Sequence, residues 1–220
     1  MSEWWTYRLE DFLLFSPRVY RRMFELHNVS FWPMHLATLA AGLAIVLLVL
    51  RRLQNHGLWI AFILAVLWAF VGWSFLWSRY ASINWAVAYV APAFGLQALL
   101  LGFLGAVGGL AFDRKDIAGR LGLLLAVIGL FAYPLLAPLF GRPWTGAEAF
   151  GIAPDPTAIA TLGILLAASG RLMALLPPIP LLWLLFSGLT LHTMGDPQGW
   201  LPFSMVGTAL AGLVLRRLGR

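Results

Sequence analysis

The chain has 220 residues, of which 61% are hydrophobic and 11% charged, whereas soluble domains carry about a quarter charged residues. That composition excludes an ordinary soluble fold and leaves a single helical membrane domain with no separate soluble unit. The formal charge of +6 comes from basic residues at the ends of apolar runs, where topology control and lipid headgroups use them, so nucleic acid is excluded as a partner; without cysteine there is no disulfide, thiolate nucleophile or cysteine-ligated metal.

Residues 1–30 are too charged to span a bilayer, yet they hold Trp4, Trp5, Tyr7, Phe12, Phe15, Tyr20 and Phe24, which suit the headgroup region. They lack the basic start, apolar middle and small-residue cleavage site of a secretory signal, so Met1 is expected to begin the mature chain. Ser16 followed by Pro17 predicts an amphipathic helix. Val19, Met23 and Leu26 fall on one face and Arg18, Arg21, Arg22 and Glu25 on the other. Such a helix lies on the membrane as an interfacial arm or packs over the bundle end with Arg21 and Glu25 paired. The domain organisation is thus an interfacial arm over 1–30 and a transmembrane domain over 31–220.

About seven transmembrane helices follow. The first covers 31–50, stopped by Arg51 and Arg52; the second covers 58–78 and ends in Trp73, Phe75 and Trp77. After RYASINW a third runs to Phe112, where Pro92 predicts a tilt or kink and Gly105 with Gly109 predict close helix approach. The turn DRKD precedes a fourth span over 121–140. The long polar interval 141–163 then divides into a flexible outer stretch, 141–154, and a fifth span over 156–176, with Asp155 as its cap, Pro156 at its first position and Arg171 snorkelling from its last turn. PPIP at 177–180 leads into a sixth span ending near Met194, and 200–215 form a short seventh. With the amino terminus outside, nine basic residues lie at the cytoplasmic ends and six outside, arm included; this orientation, amino terminus out and carboxyl terminus in, is the one that the excess of inner positive charge favours.

None of the nine acidic residues falls in the middle of these spans, which disfavours an ion-coupled pump of ordinary design. His27, His35 and His192 are expected towards the outer face, with Glu25 and Asp196 on the same side. They are candidates for a metal site, or His35 and His192 for haem ligation; alternatively each simply hydrogen-bonds headgroups or helix ends, and no HExxH or paired-histidine pattern is present. Arg79, Tyr80, Asn84, Trp85 and Gln97 form a polar constellation. It is either a small headgroup cavity walled by Trp73, Trp77 and Trp85 or an aromatic belt with interhelical hydrogen bonds. Trp144, Glu148 and Asp155 are expected on the same face as Arg79, Asn84 and the histidines, their carboxylates serving as caps and interfacial contacts. Arg79, Asn84, Trp85, Gln97, Trp144, Glu148 and Asp155 are therefore the candidate ligand or partner face. No GxSxG elbow or phosphate-binding loop occurs.

WWTYRLEDFLLFSP at the start, ELHN over 25–28, FLWSRYASINWAVAY over 75–89 and GIAPDPTAIATLG together resemble an uncharacterised family of bacterial multi-pass membrane proteins, domain of unknown function 6064. The resemblance implies a bacterial membrane protein of this span pattern and brings no catalytic residue, cofactor or substrate. The expected protein is an all-α polytopic bundle in the bacterial cytoplasmic membrane, non-enzymatic and without a cofactor, a small carrier or an accessory subunit. Its partners are the lipid bilayer and a second membrane protein. The alternative is a histidine-dependent metalloenzyme acting on an interfacial substrate.

Overall fold

Ser16 and Pro17 start α1 (Pro17–Ser30) as the sequence predicts: the Ser16 hydroxyl accepts the Val19 amide at 3.3 Å, and Pro17 needs no amide partner there. A computed structural model describes residues 13–51, 55–112, 116–170 and 173–218, which build an all-α bundle. The expected contributions of Trp4, Trp5, Tyr7, Phe12, Arg52 and Arg171 lie outside the described residues.

Six helical stretches are long and apolar enough to cross a membrane: Met34–Arg51, His56–Ser82, Trp85–Ala106, Ile117–Leu139, Met173–Thr193 and Trp200–Leu218. They contain α2 (Met34–Arg51), α3 (His56–Val71) with a π-helical continuation Gly72–Trp77, α4 (Ala91–Ala106), α5 (Ile117–Val127) with a π turn Ile128–Ala132, the short α6 (Leu136–Leu139), α8 (Pro178–Thr193) and α9 (Trp200–Leu218). The chain crosses back and forth between two ends. One end carries α1, residues 78–90, 140–153 and 194–199; the other carries 55, 107–117, 168–177 and the last turn of α9.

The fifth expected span is different. The α-helix there, α7 (Pro154–Ala167), has 14 residues that extend roughly 21 Å, short of the roughly 30 Å of a hydrocarbon core. Beyond Ala167 the chain turns extended, and Ser169 exchanges two backbone hydrogen bonds with Ala111 at 2.9 and 2.6 Å. Gly170 makes this approach possible, since a Cβ there would lie 1.9 Å from the Gly109 carbonyl oxygen. Every residue of α7 is buried, so α7 is the central helix and the others surround it. Against α5 the fit is backbone to backbone: a Cβ on Gly163 would come within 2.3 Å of the Ala126 nitrogen, and one on Gly129 within 2.4 Å of the Ala160 nitrogen. Small residues permit the same approach between α3 and α4, where a Cβ on Gly105 would meet that of Ala61 at 2.5 Å.

Two further expectations are corrected. Pro92 is in the first turn of α4, where no internal hydrogen bond is lost, so it does not kink the helix. Residues 141–154 are not a loose outer loop: Ala147, Glu148 and 150–154 are buried, and Gly141 and Gly151 make the reversals at φ +70 and +72. The stretch folds down into the bundle because α7 begins below the level at which its neighbours end.

Gly163→Ala should lower the stability of the detergent-purified protein by about 1–3 kcal/mol, since backbone on both helices has to move. Gly95→Ala, which meets nothing within 4 Å, should leave the melting temperature unchanged or raise it. Equal melting of the two variants would show that α5 and α7 are not in this contact.

Candidate functional site

Asp155 does not cap α7. Ala153 occupies the cap position with no side-chain bond, and Thr157 serves the turn instead: its hydroxyl accepts the Gly151 amide at 2.9 Å and donates to the Ala153 carbonyl at 2.7 Å. Asp155 therefore turns into the bundle. The indole N–H of Trp183 donates to Oδ1 at 2.7 Å, while the hydroxyls of Ser187 and Tyr133 donate to Oδ2 at 2.6 and 3.2 Å. Trp183 and Ser187 are one turn apart on α8, and Tyr133 follows the π turn of the α5 segment, whose extra residue rotates it towards the centre. Counting back from the ends of α8 and α6, these donors are 6 to 10 residues deep, or roughly 9–15 Å. Asp155 is thus a carboxylate inside the bundle, which overturns the expectation that no acid lies at that depth.

A separate chain of polar contacts runs from Glu148 to the surface. Arg142 donates to Glu148 at 3.4 Å and to the Gln198 side-chain oxygen at 2.8 Å; the Gln198 backbone N–H donates to Asp196 at 2.9 Å, and Asp196 pairs with Arg21 at 2.9 Å. Side-chain exposure drops from 45% at Arg21 to 5% at Asp196 and stays at 10% and 9% at Arg142 and Glu148, so the chain leaves solvent at Arg21. Burial, reinforced by the Asp155 carboxylate and opposed by Arg142, raises the pKa of Glu148 above the usual carboxylate range. It can hold a proton where an exposed glutamate would not.

The three candidate histidines are not brought together as ligands. His27 is buried with Nε2 3.2 Å from the Ile152 carbonyl, His35 bonds Asn28 Oδ1 at 3.2 Å, and His192 is exposed on α8. Among the described residues no group of three or more His, Asp or Glu side chains is placed to hold a metal ion, so the metal reading of His27, His35 and His192 is set aside, and so is haem ligation by His35 and His192, the first turned to Asn28 and the second exposed on α8. The work of His27 and His35 is docking. Asn28 also donates to the Thr145 and Ala147 carbonyls at 2.7 and 2.8 Å, and with His27 it fastens α1 to residues 145–152.

The remaining candidates disperse. Arg79 donates to Ser30 at 2.9 Å, and Asn84 caps the short helix Trp85–Tyr89 by accepting the Ala86 amide. Trp73, Trp77, Trp85 and Trp144 are exposed. Gln97 is buried far from that end, donating to the Leu176 carbonyl at 3.1 Å. Of the expected face, Glu148 and Asp155 alone are at the polar centre. Residue patterns missed Tyr133, Trp183, Ser187 and Gln198; the one available signal was Trp183 with Ser187, two hydrogen-bonding side chains at i and i+4 in an apolar span.

A family model described as a family of unknown function, DUF6064, matches residues 18–219, and the chain belongs to that family. No curated protein and no solved structure matches it.

Ser187→Ala and Trp183→Phe should each destabilise the protein by about 1–3 kcal/mol by leaving a buried carboxylate oxygen short of a donor, read as a fall in melting temperature; two neutral results would remove Asp155 from this arrangement. His27 yields a pH prediction. The Ile152 carbonyl can only accept, so Nε2 carries the proton, and a second proton would be on buried Nδ1, which has no partner among the described residues. Burial thus lowers its pKa from 6.5 to about 4. The unfolded chain then binds more protons between those values, so the His27 contribution is complete above about pH 6.5 and is lost as pH falls towards 4. Thermal unfolding of His27→Gln should show a smaller loss of stability than wild type over that window.

Proposed function

We propose that this DUF6064 member is a non-enzymatic membrane carrier that takes up protons through Glu148 and Asp155. The observation that carries this reading is the Asp155 carboxylate, buried among α5, α7 and α8 and held by three neutral donors. Ionisable groups at such depth mark ion and proton pathways. Glu148, biased towards its protonated form, stands between Asp155 and the surface; it would accept a proton from water at the α1 end and pass it to the Asp155 carboxylate, becoming a carboxylate again beside Arg142. Tyr133 and Ser187 would reorient as Asp155 becomes neutral. The irregular stretch before α7 supports the same reading, because non-helical backbone at membrane depth is found where it is enclosed by protein or lines a polar path. We place the protein in the bacterial cytoplasmic membrane with the α1 end outside, on the excess of basic residues at the opposite helix ends.

The saturation of both Asp155 oxygens favours a second reading, an accessory subunit in which the carboxylate only joins helices. Reconstitution separates the two. Vesicles holding the wild-type protein and a trapped pH-sensitive dye, under an imposed potassium diffusion potential, should acidify several-fold faster than empty vesicles. Asp155→Asn should return the rate to the empty-vesicle value while still melting cooperatively, and Glu148→Gln should slow it. Wild-type vesicles no faster than empty ones would end the carrier reading and leave the accessory subunit.

A further inference from the structure

The face of α1 turned away from Asp196 borders a groove of about 290 Å³ against the turn over 79–83. Arg18, Arg22 and Arg79 stand around it, and among the described residues no carboxylate lines it: Glu25, which pairs with Arg22, borders a separate hollow beside Arg142, and Asp196 is taken by Arg21. Its floor is apolar. Met23 is buried there, while Val19 and Leu26 remain 43% and 42% exposed beside Ile83, and the same stripe continues to Val29 at 68%. Seven residues separate Val19 from Leu26, two helical turns, so the exposed apolar positions form one line along α1.

We propose that this groove binds an anionic phospholipid, its phosphate held by Arg18, Arg22 and Arg79 and its first acyl carbons laid along Val19 and Leu26. Two features select that occupant. Three guanidinium groups on a rim that holds no acid among the described residues, Arg22 reaching Glu25 outside it, call for an anion, and Arg is the side chain whose forked donors match a phosphate. An apolar floor continuous with an exposed apolar line calls for a chain, and Trp77 and Trp85, exposed by 58% and 65% at this end of the bundle, are residues of the bilayer interface, where phosphates and first methylenes meet. A free anion satisfies the rim alone; an apolar segment satisfies the floor alone. The proposal is independent of proton uptake at Asp155.

The test is native mass spectrometry of the delipidated full chain in neutral detergent, titrated with phosphatidylglycerol and with phosphatidylcholine. Phosphatidylglycerol should bind at least about tenfold more tightly. Arg18→Gln/Arg22→Gln/Arg79→Gln should bring it to the phosphatidylcholine level, and Val19→Ser/Leu26→Ser should weaken both lipids. Because Arg79 also holds Ser30, the double variant Arg18→Gln/Arg22→Gln, which leaves that bond intact, should by itself weaken phosphatidylglycerol several-fold with unchanged melting. Equal binding of the two lipids by wild type, undiminished phosphatidylglycerol binding by the double and triple variants, or full displacement of the lipid by millimolar inorganic phosphate would overturn the proposal, the last by reducing the groove to a simple anion site.

Discussion

The three hydrogen bonds that converge on Asp155 tie the α5 segment, α7 and α8 to a single carboxylate, and much of the architecture answers to that knot. A carboxylate cannot be left bare in an apolar interior, so Tyr133, Trp183 and Ser187 have to be at its level, well inside the bundle. This level fixes where α7 begins. Because α7 begins low, residues 141–153 must descend to reach it, and their backbone must be satisfied on the way. The glycine reversals at 141 and 151, the Thr157 hydroxyl and the Asn28 amide supply that satisfaction.

Enclosing α7 on all sides requires different packing from that of a helix with one greasy face. Hydrophobic burial gives no direction when every surrounding surface is apolar, so contact distance and internal hydrogen bonds decide the arrangement. Gly122, Gly129 and Gly163 let α5 and α7 touch through their backbones. On the other side the Trp68 indole donates to Thr161 at 2.9 Å, and Thr161 donates to the Thr157 carbonyl at 2.7 Å. The central helix is thereby held by close contact along one side and by polar side chains along the other.

At the α1 end, charge is sorted between the two sides of one helix. Arg21 turns to Asp196 and so towards the chain of contacts that ends at Glu148, while Arg18 and Arg22 turn to the groove beside Arg79. Tyr20, Phe24 and His27 fill the space between these sides: Tyr20 meets Phe24 and Tyr80 edge to face, Phe24 tilts against Phe75, and His27 meets Phe75 edge to face. An amphipathic helix with two polar flanks thus joins the inner polar centre to the outer surface without exposing the one to the other.

By itself the sequence determined the membrane character, the all-α class, the start of α1 at Ser16–Pro17 and the approximate places of the six long helices, though the third ends at Ala106 rather than Phe112 and the sixth starts at Met173, because each depends on local composition, run length or capping chemistry. It also marked the interval 141–163 as the place where polar residues collect. Only the tertiary structure decided what those residues do. Asp155 before Pro156 has the local form of a helix cap, and no neighbour in sequence reveals that Tyr133, Trp183 and Ser187 wait 22 to 32 positions away. The shortness of α7 depends likewise on a pairing of Ser169 with Ala111, 58 positions apart, and the histidines that suggested a metal are spent on Ile152 and Asn28 or left at the surface. Hydropathy reports how much of a segment is apolar. The depth at which a segment starts, and what its polar atoms meet there, follow from contacts between distant helices.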